Sequence, residues 1–189
     1  IKDTEKILKE EGYKKNHNGI YEKDGKPLSF NLVIQTAEFP NWKDKAEQVQ
    51  DQLKKAGIEL KIKTLDSQSY YDTLWTKKDF DLIFYRTYSD ALMPYNFMNS
   101  VFKNIDGKSG VLANDKVLSE KLDAYPKKIN RDEQQQAMDD IFKHFNSSYY
   151  GVPIAYPNET FVTSHKIESF KFSGLTDAPI DYKHLKVKQ

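Results

Sequence analysis

The residues best suited to binding chemistry follow a short apolar run at residues 80–85, where the chain changes abruptly to arginine and then to a polar, aromatic loop. An arginine fork can hold a carboxylate through two hydrogen bonds. Tyrosine offers an apolar face with a hydroxyl at its rim, and asparagine adds neutral donors and acceptors. The predicted ligand-binding residues are Arg86, Thr87, Tyr88, Ser89, Asp90, Tyr95, Asn96 and Asn99. The alternative is a core strand followed by an ordinary surface loop.

The element that must position these residues is a strand at residues 80–86, bounded by Asp79 and Arg86. Its short and strongly aromatic, mostly apolar sequence predicts a strand that is covered on both faces. Ligands of open α/β sheets collect where such strands end. The strand therefore predicts a binding site in the loop that follows it.

Two βαβ units precede this point in the chain. Residues 28–34 alternate as a strand with one buried face, and apolar residues at spacings of three or four predict a helix over 42–56 that ends at Gly57. Residues 58–64 alternate again, and a helix capped by Asp66 or Ser67 leads to the strand at 80–86. The first connection has a length that makes the strands at 28–34 and 58–64 parallel neighbours with a right-handed crossover, and the βαβ pattern then repeats once.

The remaining elements are predicted from caps, turns and periodicity. Asp3 is a plausible N-cap for a helix over 4–11, and Asp24-Gly25 predicts a β-hairpin with arms at 19–22 and 28–34. The other predicted elements are helices over 94–102, 114–124 and 131–147 (ended by Gly151), strands at 152–156 and 160–163, a mobile rim at 104–110, and a weakly periodic segment from 170 to 189 that wraps the surface or pairs with something missing.

Composition excludes several classes of protein. The net charge of +1 gives no field that favours nucleic acid or an anionic membrane. The absence of cysteine removes disulfides, thiolate metal sites and cysteine nucleophiles, and it fits a cytosolic protein as well as a bacterial exported one. No apolar run approaches the length of a membrane span.

Motifs for catalysis or metal binding are also missing from the sequence. There is no nucleophile elbow, phosphate-binding loop or dinucleotide fingerprint, and the histidines at 17, 144, 165 and 184 lack the helical spacing of a zinc site. The adjacent carboxylates Glu10-Glu11 and Asp139-Asp140 diverge on helices and cannot act as an acid–base pair. The sequence thus predicts no catalytic residue, no metal ligand and no cofactor.

The order of these segments resembles the bacterial extracellular solute-binding proteins of the peptide/nickel family, family 5, which serve ABC importers. Residues 5–13 resemble the family's Leu-Leu-x-x-Ala-Gly-Tyr helix, and residues 25–28 its Gly-Lys-Pro-Leu hairpin. Residues 46–58 and the segment from Phe80 to Leu82 are similar to its next helix and strand. The resemblance implies one α/β lobe of a periplasmic-binding-protein type II fold, with a mixed sheet, βαβ units and helices on its faces.

Within that family, Arg86-Thr87-Tyr88 and the polar loop up to Pro94 resemble the nickel-type branch. There an aromatic residue packs on a bound metal chelate, and by position this residue is Tyr88. The chain departs from the pattern at Leu92, where a second aromatic is usual, and no histidine stands near residues 99–106. The resemblance therefore implies a metal held in a small chelator such as histidine, with Arg86 or another lobe holding the chelator's carboxylates.

The family also implies an organisation and a location. Residues 1–189 would form a single ligand-binding lobe, the C-terminal lobe of a two-lobed protein, with residues from about 152 to 189 returning toward the missing lobe. The partners would be a metal chelate or a peptide and the importer's permease. The location would be extracellular, as a lipoprotein held to the membrane only by an anchor outside this chain, or periplasmic in a Gram-negative organism. The alternatives are an oligopeptide binder of the same family, a free-standing hydrolase and an adhesion module.

Overall fold

A computed structural model describes the chain over residues 1–86, 94–103, 110–155, 161–172 and 180–188. The chain divides into two compact units, residues 1–86 and residues 87–189. In the described part of the chain, no helix combines the length and the apolar character needed to cross a bilayer. The predicted rim at 104–109 lies outside the described residues.

The first unit contains three helices and six strands. In chain order these are α1 (Lys2–Glu10), β1 (Lys14–Lys15), β2 (Tyr21–Lys23), β3 (Lys26–Pro27), β4 (Ser29–Gln35), α2 (Trp42–Lys55), β5 (Glu59–Leu65), α3 (Ser67–Asp72), which continues as a π-helical stretch over Thr73–Lys77, and β6 (Leu82–Ile83).

The main sheet has the order β5-β4-β6, and both neighbours run parallel to β4. Leu32 is aligned with Ile62 on one side and with Leu82 on the other. The Asp81 carboxylate accepts hydrogen bonds from the backbone and side-chain N–H groups of Asn31, at 2.7 and 3.1 Å, and so fixes the start of β6 against β4. The predicted parallel pairing of β4 with β5 is confirmed. β6, which ends the second predicted βαβ unit, lies beside β4 and not beside β5.

The burial of β4 differs from the predicted alternation. Leu32, Val33, Ile34 and Gln35 are all buried, so the second half of the strand is covered on both faces. The central strand of a parallel sheet has helices over both of its faces, and its neighbours leave no solvated side. The prediction of one buried face was therefore wrong for β4.

The strand predicted at 80–86 is the one that lies at an edge. Regular pairing covers only Leu82–Ile83, and the Leu82 side chain is 43% exposed. Pairing continues loosely where the Phe84 N–H donates to the Val33 carbonyl at 3.1 Å. The prediction that this strand is covered on both faces was therefore wrong. An edge strand has only one neighbouring strand and is more exposed to solvent, and its aromatic, mostly apolar sequence does not distinguish it from a central strand.

The Asp-Gly hairpin forms, but with a shorter second arm. β2 pairs antiparallel with β3, and Asp24 and Gly25 both have positive φ, of 53° and 73°. The residues after Pro27 leave this small sheet, whose order is β1-β2-β3, and enter the parallel sheet as β4. The predicted arm at 28–34 therefore belongs to another sheet.

The second unit packs helices around a separate apolar core. Its elements are α4 (Pro94–Met98), which continues as a π-helical stretch over Asn99–Lys103, α5 (Lys116–Ala124), a 3₁₀ turn over Tyr125–Lys127, α6 (Arg131–Ser147), β7 (Ile167–Phe172) and β8 (Ile180–Val187). The buried residues of this core are Met98, Leu118, Leu122, Met138 and Ile141. The three predicted helices are confirmed.

Two helix ends differ from the predictions. Helix α1 begins at Lys2, so Asp3 lies in its first turn, where a carboxylate favours the helix dipole, and is not the N-cap. After α6 the left-handed residue is Tyr149, with φ of 55°, and not Gly151. The predicted end of α2 is confirmed, since Gly57 has φ of 80°, and Asp66 caps α3 by accepting from the Ser69 N–H at 3.0 Å.

The C-terminal segment was predicted incorrectly. Residues 152–155 and 161–164 have no regular structure, and the rest of those two predicted strands lies outside the described residues. The weakly periodic segment at 170–189 instead contains the end of β7 and all of β8, and these two strands pair with each other antiparallel. Register shifts around Ser169 interrupt the ladder between β7 and β8.

Candidate functional site

The candidate site is built where the parallel strands of the first unit end. β4 ends at Gln35 and β6 at Ile83, and both strands point the same way, so the segments that follow them emerge at one edge of the sheet. This is the edge at which open α/β sheets bind ligands. Residues 36–41 and 84–86 supply the side chains there.

An aromatic group covers this edge, and we call it the strand-end cluster: Phe39, Trp42, Tyr70, Tyr71 and Phe84. Phe39 stacks on Trp42 with 4.3 Å between ring centroids, and Phe84 meets Trp42 edge-on at 6.0 Å. Tyr70 lies 6.0 Å from Trp42 and 5.1 Å from Tyr71. The cluster joins the start of α2, helix α3 and the residue after β6 into one packed surface.

Arg86 lies against this cluster. Its guanidinium carbon stands 5.7 Å from the centroid of the Phe39 ring, within the range of a cation–π contact. The side chain is half-buried. A guanidinium that rests on an aromatic face loses less conformational freedom when it binds a carboxylate, because its plane is already oriented.

Two tyrosine hydroxyls fix the polypeptide around Arg86. The Tyr70 hydroxyl donates to the carbonyl oxygen of Phe84, two residues before Arg86. The Tyr71 hydroxyl donates to Glu38 Oε2 at 3.0 Å, next to Phe39. Helix α3 thereby holds both segments that emerge from the sheet edge. The Tyr70 side chain is fully buried.

Gln35 is the polar residue at this edge that the sequence analysis missed. It is fully buried at the end of β4, and its Oε1 accepts from the Glu38 N–H at 2.9 Å. Its Nε2 has no hydrogen-bond partner among the residues described. The sequence did contain a signal for this residue, because a glutamine directly follows three apolar residues at the end of a strand. Ligands of open α/β sheets collect at the ends of parallel strands, so the reasoning applied to β6 holds equally for β4.

Only part of the predicted site falls within the described residues. Arg86 is placed as above, whereas Thr87, Tyr88, Ser89 and Asp90 lie outside them. Tyr95, Asn96 and Asn99 belong to the second unit, on α4 and the π-helical stretch that follows it. The structure therefore places Arg86 against Phe39 in the first unit, and it places Tyr95, Asn96 and Asn99 in the second unit.

Tyr95 contributes to the packing of the second unit. Its ring stacks on Tyr125 with 4.6 Å between centroids and 14° between planes. Burial raises the pKa of its hydroxyl above the ordinary value, with the neighbouring Lys103 opposing the shift. Asn96 is exposed and Asn99 is half-buried.

The second unit also contains a polar network around Asp115, the N-cap of α5. Asp115 Oδ1 accepts from the Leu118 N–H at 2.9 Å, and Oδ2 accepts from His144 Nε2 at 2.7 Å and from the Tyr150 hydroxyl at 2.8 Å. His144 is thus paired rather than solvated. No group of three or more histidine, cysteine or acidic side chains is arranged for a metal ion within the described ranges.

A family model matches more than half of the chain. The model, described as "Bacterial extracellular solute-binding proteins, family 5 Middle", matches residues 1–109. This range includes the whole first unit, with the parallel sheet, the strand-end cluster and Arg86.

Solved structures of this class show the same fold. NikA from Brucella suis, in complex with Fe(III)-EDTA, has a TM-score of 0.78 and 22% identity, over 97% of this chain and 37% of NikA. AppA from Bacillus subtilis, an oligopeptide-binding protein in complex with a nonapeptide, has 0.73 and 21%, over 100% of this chain and 37% of AppA. NikZ from Campylobacter jejuni, in complex with Ni(L-His), has 0.63 and 22%, over 76% of this chain and 29% of NikZ.

These likenesses establish the architecture, a mixed α/β arrangement of the periplasmic-binding-protein type II fold. The chain spans little more than a third of the length of the NikA and AppA chains that it matches. The extent of the family match, together with this fold, shows that the chain belongs to the bacterial extracellular solute-binding proteins, family 5.

Proposed function

We propose that this chain is part of the substrate-binding component of an ABC importer, and that it captures nickel or another transition metal as a small chelate. Family membership supports a binding role without covalent chemistry. The ligands in the NikA and NikZ structures, Fe(III)-EDTA and Ni(L-His), are metal chelates whose chelators bear carboxylates.

The observation that carries the proposal is the position of Arg86. It follows the end of β6, and its guanidinium rests on the Phe39 ring. Charge-assisted hydrogen bonds from such a fork to a chelator carboxylate are about twice as strong as neutral ones. Because Arg86 recognises the chelator's carboxylate in this proposal, no side chain of this chain has to bind the metal ion directly.

The proposed site extends from Arg86 into the segment that follows. In this proposal Tyr88 packs its ring on the chelate, and Thr87, Ser89 and Asp90 contribute polar contacts. Tyr95, Asn96 and Asn99 complete the set from α4 and the stretch after it. A second lobe, outside this chain, closes over the ligand by a hinge motion and adds the remaining contacts.

The second candidate function is oligopeptide binding within the same family. The AppA structure, which contains a nonapeptide, is matched over the whole of this chain. A peptide site uses backbone hydrogen bonds and a wide, hydrated pocket, and so depends less on a single arginine.

The same proposal places the full-length protein outside the cell. It would be a lipoprotein anchored outside this chain, or a periplasmic protein in a Gram-negative organism, and it would deliver its ligand to the permease of the importer. Within it, residues 1–189 form one lobe, and residues from about 152 to 189 return toward the other lobe.

Exposed apolar side chains on the C-terminal hairpin support this return. Phe172 is 62% and Tyr182 is 75% exposed, on β7 and β8 respectively. In a full-length protein these two side chains should be protected from hydroxyl-radical labelling relative to the isolated chain. Equal labelling in both proteins would contradict the proposed return.

The experiment for the metal-chelate function is calorimetric titration with nickel plus excess histidine, and separately with a mixture of short peptides. The chain contains two arginines, so Arg131→Gln, on the exposed start of α6, is a matched control for Arg86→Gln. We expect Arg86→Gln to weaken chelate binding by about 10- to 100-fold, because a charge-assisted contact worth about 1.5–3 kcal/mol is lost. Arg131→Gln should leave the affinity unchanged.

Other outcomes separate the alternatives. If titration with the peptides gives a heat of binding and titration with nickel plus histidine gives none, the proposed function changes to oligopeptide binding. Chelate binding that Arg86→Gln and Arg131→Gln affect equally would contradict the role given to Arg86.

A further inference from the structure

Gln35 occupies a place in the core of the first unit that polar residues rarely fill. It is fully buried at the end of β4, directly after Leu32, Val33 and Ile34, which are buried as well. Its Oε1 accepts from the Glu38 N–H at 2.9 Å, whereas its Nε2 has no hydrogen-bond partner among the residues that the structure describes. Burial of a carboxamide is unfavourable unless its polar atoms are paired. Packing alone therefore does not account for a glutamine at this position.

The hydrogen bond to Glu38 shapes the segment that leads from β4 to α2. It closes a four-residue turn over residues 35–38, in which the side-chain oxygen of Gln35 takes the place of the backbone carbonyl in an ordinary β-turn. The Tyr71 hydroxyl donates to the Glu38 carboxylate at 3.0 Å, so Glu38 is held at its backbone and at its side chain. The turn is thereby anchored to a side chain that is fixed in the core.

Phe39 follows this turn directly and is fixed from its other side as well. Its carbonyl accepts from the Trp42 N–H at 3.0 Å, and its ring stacks on Trp42 with 4.3 Å between centroids. Pro40 restricts the preceding Phe39 to extended backbone conformations. The position of the Phe39 ring thus depends on the two turns that flank it, and Gln35 closes the first of them.

The Phe39 ring in turn supports Arg86. The guanidinium carbon of Arg86 lies 5.7 Å from the centroid of this ring. Arg86 follows β6, which is the parallel neighbour of β4, so the contact joins the segments that leave two neighbouring strands at the same edge of the sheet. A shift of Phe39 would withdraw the aromatic face on which the guanidinium rests.

We propose that Gln35 is a positioning residue of the ligand site. Through Glu38 and Phe39 it holds the Arg86 guanidinium in the orientation that receives a carboxylate of the chelator, a role that rests on the proposed function of Arg86. Gln35 does not contact the ligand itself, because its side chain is fully buried. Its replacement should therefore affect ligand binding only through Arg86.

The test is a double-mutant cycle of Gln35→Met and Arg86→Gln, measured by calorimetric titration with nickel plus excess histidine. Methionine keeps the approximate length and volume of glutamine but lacks the carboxamide oxygen. Gln35→Met should weaken chelate binding about 3- to 10-fold, because a displaced binding group loses part of its contact. In the Arg86→Gln background it should cause no further loss, since the group that it positions is already absent. Equal losses in the two backgrounds would overturn the proposal.

Gln50→Met is the matched control. Gln50 is half-buried in α2, and its Nε2 donates to the Leu60 carbonyl at 2.6 Å. The variant therefore also removes a hydrogen bond between a glutamine side chain and the backbone of the first unit, and it should leave the affinity unchanged. If it weakens chelate binding as much as Gln35→Met does, the effect is a general loss of stability and the proposal is overturned.

Two NMR measurements without ligand test the positioning role independently. In the unmodified chain the Glu38 amide should exchange slowly with solvent although the residue is exposed, because it donates to a buried oxygen. Nuclear Overhauser contacts between the Phe39 ring and the Arg86 side chain should be present in the unmodified chain and in Gln50→Met, and weaker in Gln35→Met. Fast exchange at Glu38, or contacts that Gln35→Met leaves unchanged, would overturn the proposal.

These measurements distinguish a failure of this inference from a failure of the proposed function. If the ligand-free contacts respond as expected but Arg86→Gln does not weaken chelate binding, the proposed function of Arg86 fails and the positioning of its side chain by Gln35 is supported. If chelate binding depends on Arg86 and is unaffected by Gln35→Met, only the inference about Gln35 fails.

Discussion

At the scale of single residues, a hydrogen bond from Tyr70 holds the chain just before Arg86. The buried Tyr70 hydroxyl donates to the Phe84 carbonyl, which holds the chain in place two residues before the guanidinium. Tyr71 makes an equivalent bond to a partner at the surface, Glu38. The two adjacent tyrosines therefore form a natural comparison.

Replacing Tyr70 by phenylalanine should lower the free energy of unfolding by about 1–2 kcal/mol, because the half-buried Phe84 carbonyl loses its donor. Tyr71→Phe should change it by less than about 0.5 kcal/mol, because its hydrogen bond to Glu38 is exposed to solvent and water can replace it. Urea unfolding measures both. Equal losses in the two variants would contradict the role given to the Tyr70 hydroxyl.

Asp115 links stability to pH. Burial alone would raise the pKa of its carboxyl, but hydrogen bonds from the Leu118 N–H, His144 and Tyr150 outweigh that effect and lower the pKa from 3.8 to about 2. The same contact raises the pKa of the Tyr150 hydroxyl. A carboxyl whose pKa is lower in the folded state stabilises the protein above its unfolded pKa and loses this effect as the pH falls toward the folded value.

Asp115→Asn should therefore cost about 2 kcal/mol in unfolding free energy near neutral pH, and the deficit should shrink between about pH 4 and pH 2. Asp139→Asn, on the exposed side of α6, removes the same charge as a control and should cost little. Urea unfolding over a pH series measures both. A deficit of Asp115→Asn that stays constant down to pH 3 would contradict the proposed linkage.

At the scale of elements, Gly57 joins α2 to β5 and at the same time contacts β2. Its φ of 80° ends the helix in the left-handed conformation, and its hydrogen atoms face the Tyr21 ring. Gly25, in the β2–β3 turn, has a similar φ of 73°, but a Cβ added there would meet no atom within 4 Å. Only at Gly57 does tight packing add to the backbone requirement.

Gly25→Ala should cost about 1–2 kcal/mol through its positive φ alone. Gly57→Ala should cost a further 1–3 kcal/mol or so, because Cβ would overlap Tyr21 and approach the Gly19 carbonyl at 3.1 Å. Chemical unfolding of both variants separates the two contributions. Equal costs would show that the contact between Gly57 and Tyr21 is readily relieved.

The elements also show which features can be predicted from sequence. The succession of β4, α2 and β5 was predictable because the hydrophobic period changes from alternation to 3.6 residues and back. Gly57 marks the change from α2 to β5. The burial of β4 and the edge position of β6 were not, because they depend on strand order rather than on either sequence. Arg86 was found from the end of its strand. Phe39, which its guanidinium contacts, lies 47 residues earlier in the chain and comes next to it only through tertiary packing.

At the scale of the whole molecule, the chain covers only part of the length of the solved structures that it matches. It spans 37% of the NikA and AppA chains, and its own residues form two compact units. In the proposed function the ligand contacts are divided between this lobe and another. The lobe alone should therefore bind its ligand more weakly than the full-length protein, because it forms fewer contacts for the same loss of translational freedom.

The most direct test of the proposed function is an NMR titration of this chain with nickel plus excess histidine, following the backbone amides from Arg86 to Asn99. We expect saturable shifts or line broadening in that segment, and no comparable change with nickel-free histidine or with short peptides. Perturbation by peptides alone would contradict the metal-chelate assignment in favour of oligopeptide binding. A chelate response confined to other parts of the chain would contradict the assignment of this segment as the ligand site.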